Sequence, residues 1–346
     1  LLCSRDRRQR GEYATRFDDI LRVLGIIMAF WLVTGGCGFI GSHLVDTLLA
    51  RGDKVRVLDD LSTGRRSNLP NRVEVVVGDV ADAETVAHAM AGVDGCFHLA
   101  AVASVQRGNE DWLGTHRVNL TGTIAVFDAA RTCNGKGPVP VVYASSAAVY
   151  GDNPNMPLNE SAATAPLSAY GADKLGCELH GRVAWQVHKV PSTGFRFFNV
   201  YGPRQDPKSP YSGVIAIFAD KVAENREITV NGDGGQVRDF VYVADVVRHL
   251  VAAMDDDTKG GRAEGSRVFN VCTGRPTTVL ELARIISDLG GVKPRVTHGP
   301  ARAGDIRTSL GNPAKAAKAF GFTAETPVAE GLRETLSAIT RDMAAD

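Results

Sequence analysis

The sequence predicts an α/β fold that is built on a parallel sheet and continues into a smaller, mixed α/β region. Short apolar segments alternate with helix-like segments through the first two hundred residues. This alternation is typical of a parallel sheet with helices on both faces. The first strand-like segment ends in glycines spaced Gly35-x-x-Gly38-x-x-Gly41. Beyond Asn199 a Pro-rich loop over residues 202–210 disfavours helix and strand, which marks a change of architecture.

The predicted elements follow one another in order. We predict strands at residues 31–34, 54–58, 73–77, 95–99, 139–144 and 192–197, and helices at residues 39–49, 83–90, 118–130 and 169–187. Shorter helices are predicted at residues 213–224, 279–289 and 313–320. Ligands of such sheets bind beyond the carboxyl ends of the strands. We therefore expect the distinctive residues at those ends to share one cleft.

Composition narrows the class of protein. A chain of 346 residues is long enough for two lobes. Lys plus Arg equals Asp plus Glu, at 39 each, so the sequence predicts no nucleic-acid or membrane partner. Six scattered cysteines include no Cys-x-x-Cys pair. We therefore expect free thiols in a reducing, cytoplasmic compartment, and no metal site.

The first residues differ from the rest. The chain opens without Met, carries several arginines, and has an apolar run over residues 20–32 that is too short to span a bilayer. No small-residue cleavage site follows this run, because the glycine-rich turn comes next. We expect Met28 to be the natural start and residues 1–27 to be an extension outside the fold.

The glycine-rich turn indicates a dinucleotide site. Gly35 permits the tight turn, Gly38 lets the backbone approach the phosphates, and Gly41 lets the following helix pack closely on the strand. The helix N-terminus offers free N–H donors and a positive dipole end to a pyrophosphate. This predicts a Rossmann-type doubly wound parallel sheet over residues 28–198, with later segments near 236–272 returning to it. Residues 199–346 would mainly form a smaller mixed α/β C-terminal substrate-binding domain.

Two acidic residues at the ends of the second and third predicted strands indicate which dinucleotide binds. Asp59 lies 18 residues after Gly41, where a carboxylate accepts hydrogen bonds from the adenosine ribose and repels a 2′-phosphate. This favours NAD over NADP, although Arg65 and Arg66 nearby keep NADP open. Asp79, after the third strand, is predicted to meet the adenine amino group.

The strongest chemical signal is Tyr170-Gly-Ala-Asp-Lys174. On a helix the two side chains share one face, so the Lys174 ammonium lies beside the Tyr170 phenol and favours its phenolate. Lys174 can also donate to the nicotinamide ribose. The motif follows Ser145-Ser146 by about 25 residues and comes after the glycine turn and the ribose acid in order. This combination predicts a catalytic pair rather than a surface pair.

From residue 30 to about residue 336, the chain resembles the extended short-chain dehydrogenase/reductase superfamily, and most closely its UDP-glucose 4-epimerase-like nucleotide-sugar 4-epimerases. The matching stretches are TGGCGFIGSHL (34–44), LDDLSTG (58–64), GDV (78–80), HLAA (98–101), VNLTGT (118–123), SSAAVYG (145–151), YGADK (170–174), FFNVYGPRQ (197–205), NGDGGQVRDFVYVAD (231–245) and RAGDIRTS (302–309).

The resemblance implies a reaction and its residues. Tyr170 would take the proton from the sugar 4-hydroxyl while C4 gives a hydride to NAD, and Ser146 would hydrogen-bond the same oxygen. The 4-keto sugar would turn over and receive the hydride on its other face. The remaining cofactor positions implied by the family are Phe39, Ile40, Val80, Leu99, Ala100, Ala101, Asn119 and Phe197.

The resemblance also implies a substrate site. Asn199 would contact the diphosphate region, and Arg238 and Arg302 would clamp the two UDP phosphates, which suits a guanidinium fork. Ser309 stands where a bulky Tyr restricts some members to glucose, so a small side chain there argues for tolerance of N-acetylated sugars. Related dehydratases and decarboxylases carry an acid just after the active-site serine, whereas residues 147–150 contain none, which favours epimerisation.

Several readings stay open at this point. The expected substrates are UDP-glucose and UDP-galactose or their N-acetyl forms, and a UDP-glucuronate 4-epimerase is the nearest alternative. A net NAD(P)-dependent nucleotide-sugar dehydrogenase or reductase is a different class, and a non-catalytic NAD sensor is a third. His43, His98 and His249 are expected to be packing or surface residues. We also expect a homodimer packed through the helices at residues 118–130 and 169–187.

Overall fold

The computed structural model describes residues 28–345, except 136, 207–212, 259–265, 294 and 302–305. The prediction that residues 1–27 lie outside the fold concerns residues outside this described part. The strands are β1 (Phe30–Thr34), β2 (Lys54–Asp59), β3 (Glu74–Val77), β4 (Gly95–His98), β5 (Val141–Ser146), β6 (Ser192–Phe197), β7 (Asn199–Tyr201), β8 (Ile228–Asn231), β9 (Val237–Tyr242), β10 (Ser266–Val271), β11 (Pro276–Thr278), β12 (Val296–Gly299) and β13 (Thr308–Ser309).

The helices of the described residues lie mostly between these strands along the chain. They are α1 (Phe39–Ala50), α2 (Ala83–Met90), α3 (Val105–Glu110), α4 (Trp112–His116), α5 (Gly122–Ala130), α6 (Ala169–His188), α7 (Val214–Ala223), α8 (Val243–Thr258), α9 (Val279–Leu289), α10 (Ala314–Phe320) and α11 (Val328–Ala345). A π-helical turn, Arg117–Thr121, joins α4 to α5, and a 3-10 turn, Ala147–Tyr150, follows β5.

Seven of the described strands form one parallel sheet in the order β10-β6-β5-β4-β1-β2-β3. The order reverses next to β1, since the chain builds outward from β1 to β3 and then from β4 to β6 on the other side. This is the doubly wound arrangement, and its crevice opens at the carboxyl ends of β1 and β4. The predicted fold class is confirmed.

Alternating side chains of the sheet feed two hydrophobic cores. Trp31 and Val33 of β1 pack into the core beneath α1 and α8, whereas Leu32 faces the core beneath α2, α5 and α6. All three side chains are almost fully buried. Burial on both faces explains why β1 is a continuous apolar run rather than an alternating one.

The helix predicted at residues 118–130 differs from the observed one. The helical segment begins earlier, at Trp112, and it contains the π-helical turn at Arg117–Thr121 before α5 begins. Gly122, at the junction, packs so closely on β3's following loop that a Cβ atom would lie 2.7 Å from Cγ1 of Val80. Apolar periodicity does not reveal one extra residue in a turn, so the sequence could not predict this feature.

A smaller region follows β6. β9 lies between β11 and β13 and also pairs with β7, while β8 and β12 form a separate parallel pair. The carboxylate of Asp239, which is fully buried, accepts hydrogen bonds from the backbone N–H groups of Thr273, Gly274 and Gly311. Between these elements the chain returns to the large sheet, because α8 packs on α1 and β10 extends the sheet beside β6.

The described residues contain neither a membrane-spanning helix nor a cluster of metal-ligating side chains. No helix there is both long enough and apolar enough to cross a membrane. Nor does this part of the chain bring three or more His, Cys, Asp or Glu side chains together in a metal-binding group.

Candidate active site

The carboxyl ends of the large sheet's strands border one cleft of about 540 Å³. Turns that follow β1, β2, β3, β4 and β5 line it, and the first turn of α6 and the segment after β6 close it. Most of the residues that the sequence singles out meet here. They are Gly35, Gly38, Phe39, Ile40, Gly41, Asp59, Asp79, Val80, Leu99, Ala100, Ala101, Ser146, Tyr170, Lys174, Phe197 and Asn199.

The glycine-rich turn leaves no room for side chains. Gly35 has a φ of +68°, and a Cβ atom there would lie 2.7 Å from the backbone nitrogen of Ala100. A Cβ atom on Gly41 would collide with the carbonyl oxygen of Gly35. α1 begins after Gly38 without a side-chain cap and without an acid in its first turn. Its first N–H groups are therefore available to an anion in the cleft.

Asp59 is nearly buried at the end of β2. Its Oδ2 accepts from the backbone N–H of Cys37 and its Oδ1 from that of Leu61, both at 2.9 Å. Burial raises the pKa of Asp59 above its ordinary value, and these two hydrogen bonds oppose the rise. Each carboxylate oxygen keeps a further lone pair, so Asp59 can still accept from a hydroxyl in the cleft.

Asp79, Arg65 and Arg66, which lie near the carboxyl ends of β2 and β3, all have hydrogen-bond or ion-pair partners within the protein. Asp79 accepts from the backbone N–H of Ala81 at 2.8 Å and from Arg117 at 3.1 Å. The Arg66 guanidinium donates to backbone carbonyls of its own loop, and Arg65 pairs with Asp206 at 3.1 Å. Arg65 and Arg66, which left NADP as an alternative cofactor in the sequence analysis, therefore have partners within the protein. This favours NAD, which has no 2′-phosphate.

Tyr170 and Lys174 lie in the first two turns of α6, which begins at the cap residue Ser168. The Lys174 ammonium is 5.9 Å from the centre of the Tyr170 ring, is almost fully buried, and donates to the carbonyl oxygen of Ala144 at 3.0 Å. The Tyr170 hydroxyl makes no hydrogen bond with another described residue and borders the cleft. Ser146 borders it too, and its Oγ accepts from the N–H of Ala148. A phenol, an ammonium and a hydroxyl thus converge where proton transfer is needed.

Comparison with known proteins identifies this arrangement. Residues 31–272 match the model of the NAD dependent epimerase/dehydratase family. The chain belongs to this family. It is a member of the extended short-chain dehydrogenase/reductase superfamily, among the UDP-sugar 4-epimerases, and NAD is its cofactor.

Relatives of the family match nearly the whole chain. A UDP-glucose 4-epimerase of Mycolicibacterium smegmatis is 38% identical over 312 residues, which cover 88% of this chain and 96% of the relative. The Thermus thermophilus UDP-glucose 4-epimerase in complex with NAD superimposes with a TM-score of 0.80 at 36% identity, covering 89% of this chain and 98% of that one. A UDP-N-acetylglucosamine 4-epimerase of Methanobrevibacter ruminantium, in complex with UDP-N-acetylmuramic acid, gives 0.84 at 34% identity, covering 91% and 99%.

The residues of this family member fit NAD. The turn at Gly35 and Gly41 forms a backbone cradle that any side chain would fill, and the uncapped start of α1 faces it. Asp59 stands where a ribose hydroxyl can donate to it, and Lys174 reaches the opposite end of the cleft. When bound, NAD supplies a reversible hydride acceptor.

Asn119 does not border the cleft, and its predicted contact with the cofactor stays a prediction. Its side chain is fully buried in the π-helical turn. Its Oδ1 accepts from the N–H of Val102 at 2.7 Å, and its Nδ2 donates to the carbonyl oxygen of the same residue at 3.2 Å. Asn119 therefore supports the loop after β4 from behind, and that loop, rather than Asn119 itself, lines the cleft.

Two of the predicted substrate residues lie away from the cleft lining. Arg238 of β9 and Ser309 of β13 are register partners in the smaller sheet, and neither borders the cleft. The Arg238 guanidinium donates to the carbonyl oxygen of Val237 at 2.9 Å. Arg302 lies outside the described residues. The assignments of these three residues to the substrate stay predictions.

The cleft also contains residues that the sequence did not single out. Arg107 of α3 contributes a guanidinium that has no ion-pair partner among the described residues. Gln205 and Gly213 border the cleft from the segment after β7, and Asp60 and Ser62 extend the wall beside Asp59. The stretch LDDLSTG already marked Asp60 and Ser62, whereas no spacing or motif signal marks Arg107.

Proposed function

We propose that the protein is a UDP-hexose 4-epimerase that retains its NAD, in the manner of the UDP-glucose 4-epimerases. The observation that carries this proposal is the pair of Tyr170 and Lys174 at the cleft: the Tyr170 hydroxyl has no hydrogen bond to another described residue, and the buried Lys174 ammonium is 5.9 Å from the centre of the Tyr170 ring. The 3-10 turn Ala147–Tyr150 that follows Ser146 brings no carboxylate to the cleft. A dehydratase or decarboxylase would need such an acid for its additional proton transfer.

Four residues have separate roles in the proposed reaction. Tyr170, as its phenolate, takes the proton of the sugar 4-hydroxyl and later returns it, and Lys174 stabilises that negative charge. Ser146 hydrogen-bonds the same sugar oxygen and fixes its orientation. Asn199, the first residue of β7, borders the cleft, and we expect it to contact the diphosphate region of the substrate. The 4-hydroxyl oxygen loses one proton and C4 loses one hydride; the proton returns to the oxygen and the hydride to the other face of C4, so the net reaction is isomerisation.

We propose UDP-glucose and UDP-galactose as substrates, with acceptance of their N-acetyl forms. The Mycolicibacterium and Thermus relatives named as UDP-glucose 4-epimerases support the first pair. The Methanobrevibacter relative supports the second, as does the small Ser309 side chain at the position where the resemblance implies a bulky Tyr in glucose-restricted members. UDP-glucuronate is the remaining candidate in the same class.

A product assay tests these proposals. The purified protein is incubated with UDP-glucose, UDP-N-acetylglucosamine or UDP-glucuronate, without added nicotinamide, and the sugars are separated by anion-exchange chromatography. We expect the C4 epimer of at least one UDP-hexose and no accumulation of reduced nicotinamide. Stoichiometric absorbance of free reduced nicotinamide would indicate a net dehydrogenase instead. Failure with all three substrates, in protein shown to contain NAD, would exclude the epimerase.

We also propose a homodimer that forms through α5 and α6. Leu179, Val183 and Val187 recur every four residues on α6, and 51%, 47% and 65% of their surfaces are exposed. Ile124 of the neighbouring α5 is 39% exposed. A second copy that presents the same stripe would bury these side chains as an antiparallel helical bundle.

A further inference from the structure

Glu178 continues the helical stripe that carries the catalytic pair. Tyr170, Lys174 and Glu178 are spaced by four residues on α6 and therefore lie on one face of the helix. Tyr170 and Lys174 border the cleft and Glu178 does not, while Lys174 and Glu178 are both buried, with exposed fractions of 2% and 8%. A buried carboxylate needs compensating partners, because its transfer out of water is costly.

Glu178 has two partners on neighbouring strands. Its Oε1 accepts from the hydroxyl of Ser145 at 2.5 Å and from Nε of Arg196 at 2.8 Å. Its Oε2 accepts from Nη2 of Arg196 at 2.7 Å, so the guanidinium binds the carboxylate in a bidentate manner. Ser145 and Arg196 are register partners on β5 and β6. One carboxylate thus joins α6 to the ends of two strands.

These contacts fix the end of β5 to α6 at two successive residues. The Ala144 carbonyl accepts from Lys174, and the Ser145 hydroxyl donates to Glu178. The next residue is Ser146, which borders the cleft and whose Oγ accepts from the N–H of Ala148. The position of Ser146 relative to the first turns of α6 therefore depends on these two hydrogen bonds.

We propose that Glu178, acting through the hydroxyl of Ser145, is a positioning residue for the reaction. It holds the carboxyl end of β5 against α6, so that Ser146 and Tyr170 meet the same substrate oxygen. This inference rests on the proposed function for its catalytic consequence. Displacements of about 1 Å in such a constellation reduce turnover by up to about a hundredfold, because reacting atoms must be held in a near-attack geometry.

Replacing Glu178 itself would confuse positioning with folding. Removal of one partner from a buried ion pair leaves the other charge uncompensated, here the guanidinium of Arg196. Ser145→Ala is the sharper variant, since it deletes the contact to β5 and leaves the pair of Glu178 and Arg196 intact. Ser145→Thr keeps the hydroxyl and suits a strand, so it is the conservative rescue.

Ser192→Ala provides a matched control. Ser192 is a fully buried serine at the start of β6, and its hydroxyl donates to the carbonyl oxygen of Gly181 on the same helix at 3.1 Å. The control therefore removes a buried hydroxyl between the sheet and α6 far from the cleft. Both alanine variants are expected to lose comparable stability.

The experiment measures kcat and KM of NAD-containing protein with its UDP-hexose substrate. We expect Ser145→Ala to lower kcat by about tenfold with KM within twofold of the wild-type value, and Ser145→Thr to recover most of the loss. Ser192→Ala should keep kcat within twofold. A wild-type kcat in Ser145→Ala, or an equal loss in Ser192→Ala, would overturn the inference.

Hydrogen exchange gives a readout that does not require turnover. In Ser145→Ala the backbone amides of residues 144–148 should exchange about tenfold faster than in the wild type, and in Ser192→Ala they should not. If the wild type epimerises no UDP-sugar while this difference is present, the proposed function fails and the positioning by Glu178 stands. Unchanged exchange in Ser145→Ala would overturn the positioning, whatever the substrate is.

Discussion

The carboxylate of Asp59 accepts a hydrogen bond from the backbone N–H of Cys37 at 2.9 Å, so the acid that ends β2 also holds the glycine-rich turn after β1. Its second oxygen accepts from Leu61 in the same way. Asp59 therefore has a structural role in addition to the predicted contact with ribose. The two roles can be separated only by measuring stability and cofactor content together.

We predict that Asp59→Asn lowers both the stability of the protein and its NAD content. An amide offers one acceptor oxygen and turns an NH2 group towards one of the two N–H donors, which leaves that donor unsatisfied at a cost of about 1–3 kcal/mol. The melting temperature of the protein freed of NAD should fall, together with the fraction of NAD that is retained after gel filtration. Asp288→Asn is the control, because Asp288 is exposed on α9 and does not border the cleft. Equal effects of the two variants would contradict this role.

Tyr170→Phe should separate chemistry from folding. The Tyr170 hydroxyl has no hydrogen bond to another described residue, so its loss should change the free energy of unfolding by less than about 0.5 kcal/mol. Loss of the general base should lower kcat by about 10²–10⁴-fold. Tyr150→Phe is the converse control, since the buried Tyr150 hydroxyl donates to Asn270 at 2.7 Å. It should lower the melting temperature and retain activity. Full activity of Tyr170→Phe would exclude the assigned role.

His98 should make stability fall in mildly acidic solution. Its ring is fully enclosed between Thr34 and Thr123, at 2.8 Å and 2.9 Å. Burial, and secondarily the charge of Lys174, lowers the pKa of His98 to about 3. As pH falls from about 6.5 towards 3, the unfolded chain binds a proton that the folded protein does not. The free energy of unfolding then decreases by up to about 1.4 kcal/mol per pH unit from this group alone.

Urea titrations at several pH values test this linkage. His98→Gln should be less stable than the wild type at pH 7.5. Its free energy of unfolding should decrease less between pH 6 and pH 4.5, because unfolding of the variant takes up as much as about one proton fewer. Burial lowers the pKa of His43 and His249 too, so part of the decrease should remain. His88→Gln, at an exposed position, controls for the loss of a histidine. The same slope in His98→Gln as in the wild type would show that His98 does not control it.

The proposed dimer can be broken on its apolar stripe. A carboxylate in a buried helical interface has no partner there, so the double variant Leu179→Asp, Val183→Asp should sediment as a monomer. Val77→Asp, on the edge strand β3, removes an apolar side chain of similar exposure and should leave the assembly unchanged. Analytical ultracentrifugation over a range of protein concentrations would measure both. A wild-type protein that remains monomeric at high concentration would refute the proposal.

The sequence predicted the sheet well because its signals are local. Strands β1 to β6 are short apolar runs that end in or are followed by residues of the cleft, such as Asp59 at the end of β2 and Ser146 at the end of β5. The doubly wound fold then brings these strand ends together without further information. Order and spacing therefore predicted that Gly35, Asp59 and Tyr170 would share one cleft.

Side-chain direction and long-range register were harder to predict. Asn119 occupies a family position near the cofactor, yet the π-helical turn points its amide at the backbone of Val102. The contact of Glu178 with Ser145 depends on where β5 meets α6, which no local pattern specifies. Arg107 borders the cleft from the short helix α3, and no sequence motif marks this residue. These features arise from packing between segments distant in sequence, so a single sequence does not indicate them.

The return of the chain to the large sheet as β10 limits how the cleft can open. The chain passes between the two regions after β6, between β9 and α8, and again between β10 and β11. The carboxylate of Asp239 binds two of these passages together, since it accepts from Thr273 and Gly274 while lying within β9. A single hinge could not separate the two regions without bending every passage at once. We therefore expect slow exchange of the dinucleotide, so that one cofactor molecule would serve many successive turnovers of the proposed reaction.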